Sequence, residues 1–473
     1  MSDYEPVIGL EIHVQLATKT KMFCSCALSF GEPPNTLTCP VCLGLPGTLP
    51  VVNEKAIHYG LMMGLAVGSE IADRSIFHRK NYFYPDLPKG YQISQYDLPL
   101  CSGGRLGDIR IHRVHLEEDA AKLVHVGESG RIHGSDQSIV DFNRGGTPLA
   151  EIVTEPDVRS AEQAREWLVL LRTTLRQLGV SDVNMEEGSL RCDANVSLRP
   201  VGQVELGTKT ELKNMNSFRF IERGIDAEIA RQRDLLESGQ EVVQETLHFD
   251  PRTEAITTLR SKEEAHDYRY FPEPDLVPIA ITDEMLETAR AQMPELPAAR
   301  AQRYAGGLGL SGDSARQLAF RAELGDYFEA ALASDSAEPQ VLANWVSELA
   351  ARLGDADPSA SKVEPAALAR LVGLLSTKAI TVGAARQVLD RLVEQGGDPQ
   401  AIVAAEGLSA MGGGDELDAI VAEAIAANPG AAEKIRGGEM KAVGPIIGHV
   451  MKATKGRADG GEVTKLVRAQ LGL

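Results

Sequence analysis

Near residue 290 the chain changes character, and a single architecture cannot account for both halves. All six cysteines and nine of the ten histidines lie before that point. Beyond it, 38 of 183 residues are alanine, and no aromatic residue follows Trp345. Alanine and leucine at helical spacing, with few β-branched or aromatic residues, predict an all-helical region. The segment Pro294-Glu-Leu-Pro-Ala supplies prolines that interrupt helices, which places a boundary there and a first domain over residues 1–293. A second break falls at Glu406–Gly414, where Met411-Gly-Gly-Gly-Asp reads as a flexible link. It separates a helical domain, 294–406, from a helical tail domain, 407–473, in which Asn428-Pro429-Gly430 and Gly460-Gly461 read as turns. Three domains suit 473 residues at ~150 residues each.

The first domain mixes two periodicities. In Val7–Leu16, Ile8, Leu10, Ile12, Val14 and Leu16 share one face, while Val7, Gly9, Glu11, His13 and Gln15 share the other. Leu190–Arg199 alternates in the same way, with Arg191, Asp193, Asn195, Ser197 and Arg199 on its polar face. Each reads as a strand with one buried and one working face. Between them, Ser160-x-x-Gln163 is a capping box that opens a helix through Trp167, Leu171, Leu175 and Leu178, stopped by Gly179. Without a regular βαβα rhythm, the expected class is α+β, with a largely antiparallel sheet flanked by helices.

The net charge of −19 argues against a general nucleic-acid-coating protein. No run reaches the ~18 apolar residues of a membrane span, and the acidic N-terminus lacks a signal peptide, so a cytoplasmic location without a membrane partner is expected. Residues 430–473 run against the overall charge. Eight Lys/Arg face four acids there, a net of +4.

Chemistry-bearing residues cluster in the first domain. Cys24-Ser-Cys26 and Cys39-Pro-Val-Cys42 form two close pairs across the loop 24–42, able to close a tetrahedral zinc shell. Such a four-sulfur site is structural, and four metal-free reduced cysteines are the alternative. Glu11 and His13 share a strand face. His115-Leu-Glu117-Glu118-Asp119, Glu151, Glu186, Glu187 and Asp193 add carboxylates. Brought together, they would give oxygen ligands and an imidazole to a hard ion such as Mg²⁺; singly, each reads as a solvated surface acid. No Walker or dinucleotide glycine loop is present. Arg79-Lys80-Asn-Tyr82-Phe-Tyr-Pro-Asp86 can stack a base and hold phosphates, or be a packed aromatic loop. Lys209, Lys213, Asn214 and Arg219 form a second basic segment, most simply a surface one. No amidase serine stretch and no glutaminase-like cysteine occurs; Cys101 and Cys192 read as small packed residues.

Several longer motifs carry a resemblance. They are Val7-Ile-Gly-Leu-Glu-Ile-His13, Lys80–Asp86, Tyr91-Gln-Ile-Ser-Gln95, His115–Asp119, Asn143-Arg-Gly-Gly-Thr-Pro148, Met185–Asn195 and Asp267–Asp275. With them the chain resembles, from residue 7 to the C-terminus, the B subunits of aspartyl/glutamyl-tRNA amidotransferases. The resemblance implies a cradle-like catalytic domain, a helical domain and a tail touching tRNA. It implies a heterotrimer with the amidase (A) and small (C) subunits, and contact with a non-discriminating aminoacyl-tRNA synthetase. In that family, ATP phosphorylates the side-chain carboxylate of Asp or Glu misattached to tRNA(Asn) or tRNA(Gln), and ammonia from the amidase displaces phosphate. Catalytic positions matching the family are Glu11, His13, Glu118 and Glu151. The Mg²⁺ ligands are these with Asp193, and Glu186 and Glu187 are undecided. Glu117 and Glu118 point to opposite faces of a strand, and the family pattern selects Glu118. Lys80, Tyr82, Arg144 and Lys209 are the expected ATP-binding residues, and Cys24, Cys26, Cys39 and Cys42 the structural Zn²⁺ ligands. The competing readings are a zinc-stabilised tRNA-binding scaffold without chemistry and a stand-alone metal-dependent phosphohydrolase.

Overall fold

The structure, a computed structural model, describes residues 4–126, 137–260, 268–334, 337–354, 356–411, 414–454 and 456–473. Asp267, Gly412, Gly413 and Lys455, which the sequence singles out, lie outside them. The chain divides into two compact units, Met1–Leu296 and Pro297–Leu473.

The first unit is built on a ten-stranded sheet. Its strands are β1 (Tyr4–Gln15), β2 (Glu70–Ile71), β3 (Cys101–Ser102), β4 (Arg105–Leu106), β5 (Ile109–Glu118), β6 (Pro148–Thr154), β7 (Leu190–Pro200), β8 (Thr210–Met215), β9 (Thr246–Asp250) and β10 (Ala255–Arg260). Their order is β10-β9-β8-β7-β1-β6-β5-β3-β2, with β4 paired to β5. Pairing is antiparallel throughout except between β8 and β9. The expected α+β class with a largely antiparallel sheet is observed. β1 sits near the middle because both its edges are taken, by β6 and β7.

The alternation in β1 has the predicted result. Ile8, Leu10, Ile12, Val14 and Leu16 are buried in the main core, and Glu11, His13 and Gln15 remain partly open. Three helices cover the apolar face: α1 (Glu54–Ala66), α2 (Ala161–Gln177) and α3 (Phe218–Glu237). The Asn53 side chain caps α1 by accepting from the amides of Lys55 and Ala56. Gly60 lets this helix lie close to the sheet, since a Cβ there would come within 2.5 Å of Leu100. Ser160 caps α2 at Gln163 N, as the capping box requires, and Gly179 follows the helix at φ +68°. A small sheet of His78–Asn81, Tyr91–Ser94 and Phe271–Pro272 brings Lys80 to the polar side.

The second unit is helical from Pro297 to Leu471. The expected interruption is present: one helix ends at Ala291, and Pro297 opens the next, Pro297–Leu308, where its missing N–H costs nothing. Gly460 and Gly461 likewise form the first turn of a helix, capped by Asp459, rather than a separate turn. Two apolar clusters form, one between Tyr304 and Leu408 and one between Leu417 and Leu471. Among the described residues, no helix is long and apolar enough to cross a membrane.

Candidate active site

Antiparallel register assembles the polar face from four strands. Glu11 lies opposite Asp193 on one side and Val153 on the other, while His13 lies between Arg191 and Glu151. Glu151 in turn faces His115, and Leu149 faces Glu117. Glu11, His13, Glu151 and Asp193, separated by up to 182 positions in sequence, thus meet within two rungs of the ladder.

Two groups of potential ligands share His13. Single donor atoms of Glu11, His13 and Asp193 lie within 4.8 Å of one another, and so do those of His13, Glu117 and Glu151. His13 Nε2 is 3.5 Å from Glu151, 3.8 Å from Glu117 and 3.8 Å from Glu11. His115 Nε2 is 3.4 Å from Glu151 and 3.9 Å from Glu117. The electrostatics follow from this crowding. Burial opposes the charge on His13, but Glu151, Glu117 and Glu11 outweigh it and raise its pKa to about 9. Burial also opposes the Glu151 carboxylate, yet His115 and His13 hold it well below the usual carboxylate range. Glu11 is pushed up, first by burial and then by the charge of Glu151. Oxygen donors with one imidazole, mutually repelling without a cation, fit a hard divalent ion.

Glu118 does not join this cluster. It follows Glu117 on β5, and the two-residue period turns it to the other face. There it accepts from the Ile93 amide at 3.0 Å and pairs with Lys89, beside a separate cavity of about 200 Å³. Glu117 is the residue of that pair that reaches His13 and Glu151. Glu186 and Glu187 are exposed on a turn and stay outside both ligand groups.

His13, Glu117 and Asp193 of the cluster line a cleft of about 600 Å³. Lys80, Tyr82 and Tyr268 line it, as do Arg191 and Lys213. Lys80 lies 4.8 Å from the centre of the Tyr268 ring. Burial opposes its charge, but Glu117, Tyr270 and Glu151 raise its pKa. Lys213 lies 3.0 Å from both Asp193 and Glu211. Of the four expected ATP-binding residues, Lys80 and Tyr82 reach the cleft. Arg144 instead donates to the carbonyls of Ala120 and Ala121, at 2.9 and 2.8 Å, and Lys209 is exposed on a loop outside the cleft.

Gln15, Asp119 and Arg191 form a unit that sequence reasoning misses. Gln15 Nε2 donates to Asp119 Oδ2 at 2.7 Å, and Arg191 to Asp119 Oδ1 at 3.1 Å. Alternation marks Gln15 and Arg191 as polar-face positions. Asp119 lies beyond the end of β5, where alternation says nothing about direction.

The four thiols also converge. One sulfur from each of Cys24, Cys26, Cys39 and Cys42 lies within 4.8 Å of the others, and none forms a disulfide. Hydrogen bonding from Cys24 pushes the Cys42 thiol down to about 4, while burial raises the Cys26 thiol to about 11. Four soft ligands this close fit a tetrahedral zinc ion. The loop between them is tied to the segment before β6. Asn35 N donates to Asp141 at 3.1 Å, Leu37 N donates to Asn143 at 2.8 Å, and Phe142 N donates to Asn35 Oδ1 at 2.8 Å; just before the loop, the buried Lys21 donates to the Phe142 carbonyl at 3.0 Å.

The sequence profile described as "GatB/GatE catalytic domain" matches residues 6–287, and that described as "GatB domain" matches residues 326–471. The chain is 49% identical to a protein of Anaeromyxobacter sp. (strain K), over 100% of this chain and 99% of the relative. It is 50% identical to one of Frankia casuarinae (100% and 97%), and 47% identical to one of Persephonella marina (99% and 100%). All three relatives are named as the B subunit of an aspartyl/glutamyl-tRNA(Asn/Gln) amidotransferase.

Proposed function

The chain belongs to the B-subunit family of aspartyl/glutamyl-tRNA(Asn/Gln) amidotransferases, and from that membership we propose that its cleft is where the misacylated amino acid is activated and amidated. The activity is ATP-dependent conversion of Asp-tRNA(Asn) or Glu-tRNA(Gln) to the amide form. A carboxylate is a poor acyl donor. Phosphorylation of its side-chain oxygen supplies a leaving group that ammonia then displaces.

The observation that carries this assignment is the carboxylate–imidazole cluster at the cleft, within residues 6–287. Glu11, His13, Glu117, Glu151 and Asp193 would hold one or two Mg²⁺ ions. When bound, Mg²⁺ offsets negative charge on the phosphoryl group in transfer. The chain's own groups orient and bind around that point. Lys80 presents a retained positive charge to the nucleotide phosphates from the wall. Tyr82 and Tyr268 offer faces on which a base can stack. His115, opposite Glu151 in the ladder, braces Glu151 and Glu117 from the side. The four cysteines would hold a structural Zn²⁺ that shapes the loop 24–42, outside the chemistry.

Residues 1–293 form the catalytic domain in this reading, 294–406 a helical domain, and 407–473 a tail that grips tRNA. Ammonia comes from the glutamine-hydrolysing amidase partner, accompanied by the small third component of the heterotrimer, since no amidase constellation is present in the sequence. The non-discriminating synthetase that makes the misacylated tRNA is a further partner, and the setting is the cytoplasm. A scaffold without chemistry is less well supported, because tRNA binding alone gives no reason to gather Glu11, His13, Glu117, Glu151 and Asp193 within ligand distance of one another. The test is ADP formation by the reconstituted complex. It should require misacylated tRNA and fall by more than ~10²-fold in His13→Ala. Equal ADP formation with uncharged tRNA would sink the proposal.

A further inference from the structure

Of the cationic groups lining the cleft, Arg191 differs from Lys213 in where its counter-charge lies. Lys213 is held between Asp193 and Glu211, at the ligand cluster itself. Arg191 stands beside His13 in the ladder, and its partner, Asp119, belongs to neither ligand group. Asp119 is buried and has both oxygens engaged. Gln15 donates to one at 2.7 Å; Arg191 and the Ala120 amide donate to the other at 3.1 and 2.9 Å. A carboxylate so completely satisfied is not a spare ligand; it is an anchor. It takes one nitrogen of a guanidinium that has five N–H donors. The side chain remains about a third exposed and borders the cleft.

We propose that Arg191, aimed by Asp119, is the fork that receives the side-chain carboxylate of the esterified amino acid before its phosphorylation. Asp119 is the positioning residue, and the inference rests on the function proposed above. A planar guanidinium matches a planar carboxylate in two parallel hydrogen bonds, whereas a lysine offers a point charge better suited to phosphate oxygens. Lys80 and Lys213 provide such point charges. The position next to His13 sets a carboxylate oxygen beside the ligand cluster, where phosphoryl transfer must occur. The same fork rejects the product. A Gln or Asn amide cannot accept twice from Arg191, and its NH₂ group would face another donor. The fork therefore distinguishes substrate from product by charge, at the atom the reaction changes.

The experiment measures affinities of the reconstituted complex for Glu-tRNA(Gln), Gln-tRNA(Gln) and Mg-ATP. The wild type should bind Glu-tRNA more tightly than Gln-tRNA. Arg191→Lys should reduce that preference by about tenfold or more while leaving ATP affinity within about twofold. The double variant Arg191→Gln/Asp119→Asn removes both charges together, so no buried acid is left unpaired; it should show the same loss with a near-normal melting temperature. Reduced ATP affinity with the preference retained would reassign the fork to nucleotide phosphate and overturn the proposal. An unchanged preference in a wild-type background that does form ADP on Glu-tRNA would show that Arg191 is only a brace for Asp119. A wild type with neither preference nor ADP formation would instead overturn the underlying function.

Discussion

In the proposed Mg²⁺ site His13 would serve as a neutral ligand, yet it sits among three carboxylates that favour its proton. Its pKa is raised to about 9, against an ordinary value near 6.5. The direction fixes the sign. Protonated His13 contributes stability in full below pH ~6.5, and that contribution is lost as pH rises through about 9. A cation sharing the same carboxylates must displace the proton. Mg²⁺ affinity should therefore rise between about pH 7 and 9, and binding at about pH 7 should release a proton. Calorimetry in buffers of different ionisation enthalpy would detect it, and binding without proton release would contradict the proposed ligation by His13. The Glu117–Glu118 pair allows an equally local test. Glu117→Gln should weaken Mg²⁺ binding by about tenfold or more, and Glu118→Gln should leave it within about twofold. The reverse ranking would place the site on the other face of β5. Alternation shows that only one of the two can reach the metal, but choosing between them requires knowing which face of β5 looks toward His13, and pairing with β6 decides that.

Among the elements, β1 joins stability to chemistry because its two faces have opposite tasks. Ile12 is fully buried between two working residues, Glu11 and His13. Ile12→Ala should cost ~2–5 kcal/mol in unfolding free energy, measured by denaturant titration. A cost below ~1 kcal/mol would mean that this face is not packed as described. The cysteine loop is a second element with a testable role. Its hydrogen bonds to Asp141, Phe142 and Asn143 brace the chain entering β6. Cys39→Ser should abolish zinc content and lower the melting temperature, with a smaller effect on ADP formation per folded molecule. Elemental analysis finding no zinc in the reduced wild-type protein would remove the zinc assignment. Element type is readable where the period is unambiguous, in β1, β7 and α2. The proline-marked boundary falls between the helices that end at Ala291 and begin at Pro297, whereas glycine misleads at Gly460, which opens a helix capped by Asp459.

For the molecule as a whole, the relevant quantity is how charge is distributed. The chain carries −19 overall, while residues 430–473 carry +4. Repulsion from the acidic units is screened beyond ~8 Å at physiological salt, so a local basic surface acts on the phosphate it touches. Lys441, Lys452 and Arg457 lie on and around the helix Gly444–Ala453. Deleting residues 407–473 should weaken tRNA binding and flatten its salt dependence while the first unit remains folded. Lys452→Glu with Lys455→Glu should raise KM for misacylated tRNA more than for ATP. Unchanged tRNA affinity in the deletion at ~0.15 M salt would give this charge another purpose.

Whatever depends on short range was legible before folding. Alternation decided which side of β1 and β7 is apolar, the capping box decided where α2 begins, and the close cysteine pairs marked four thiols that converge in the fold. The family resemblance was legible too, because long motifs need no folding to be recognised. Which distant polar residues become neighbours was settled only in three dimensions. Register across β5, β6, β1 and β7 brought Glu117 in place of Glu118 to His13, while the folding of the loops left Arg144 and Lys209 outside the cleft and set Asp119 against Arg191. The reason is that a strand has a two-residue period. One residue of slip at any pairing would turn the whole polar set to the opposite face, and only the packed sheet holds that register.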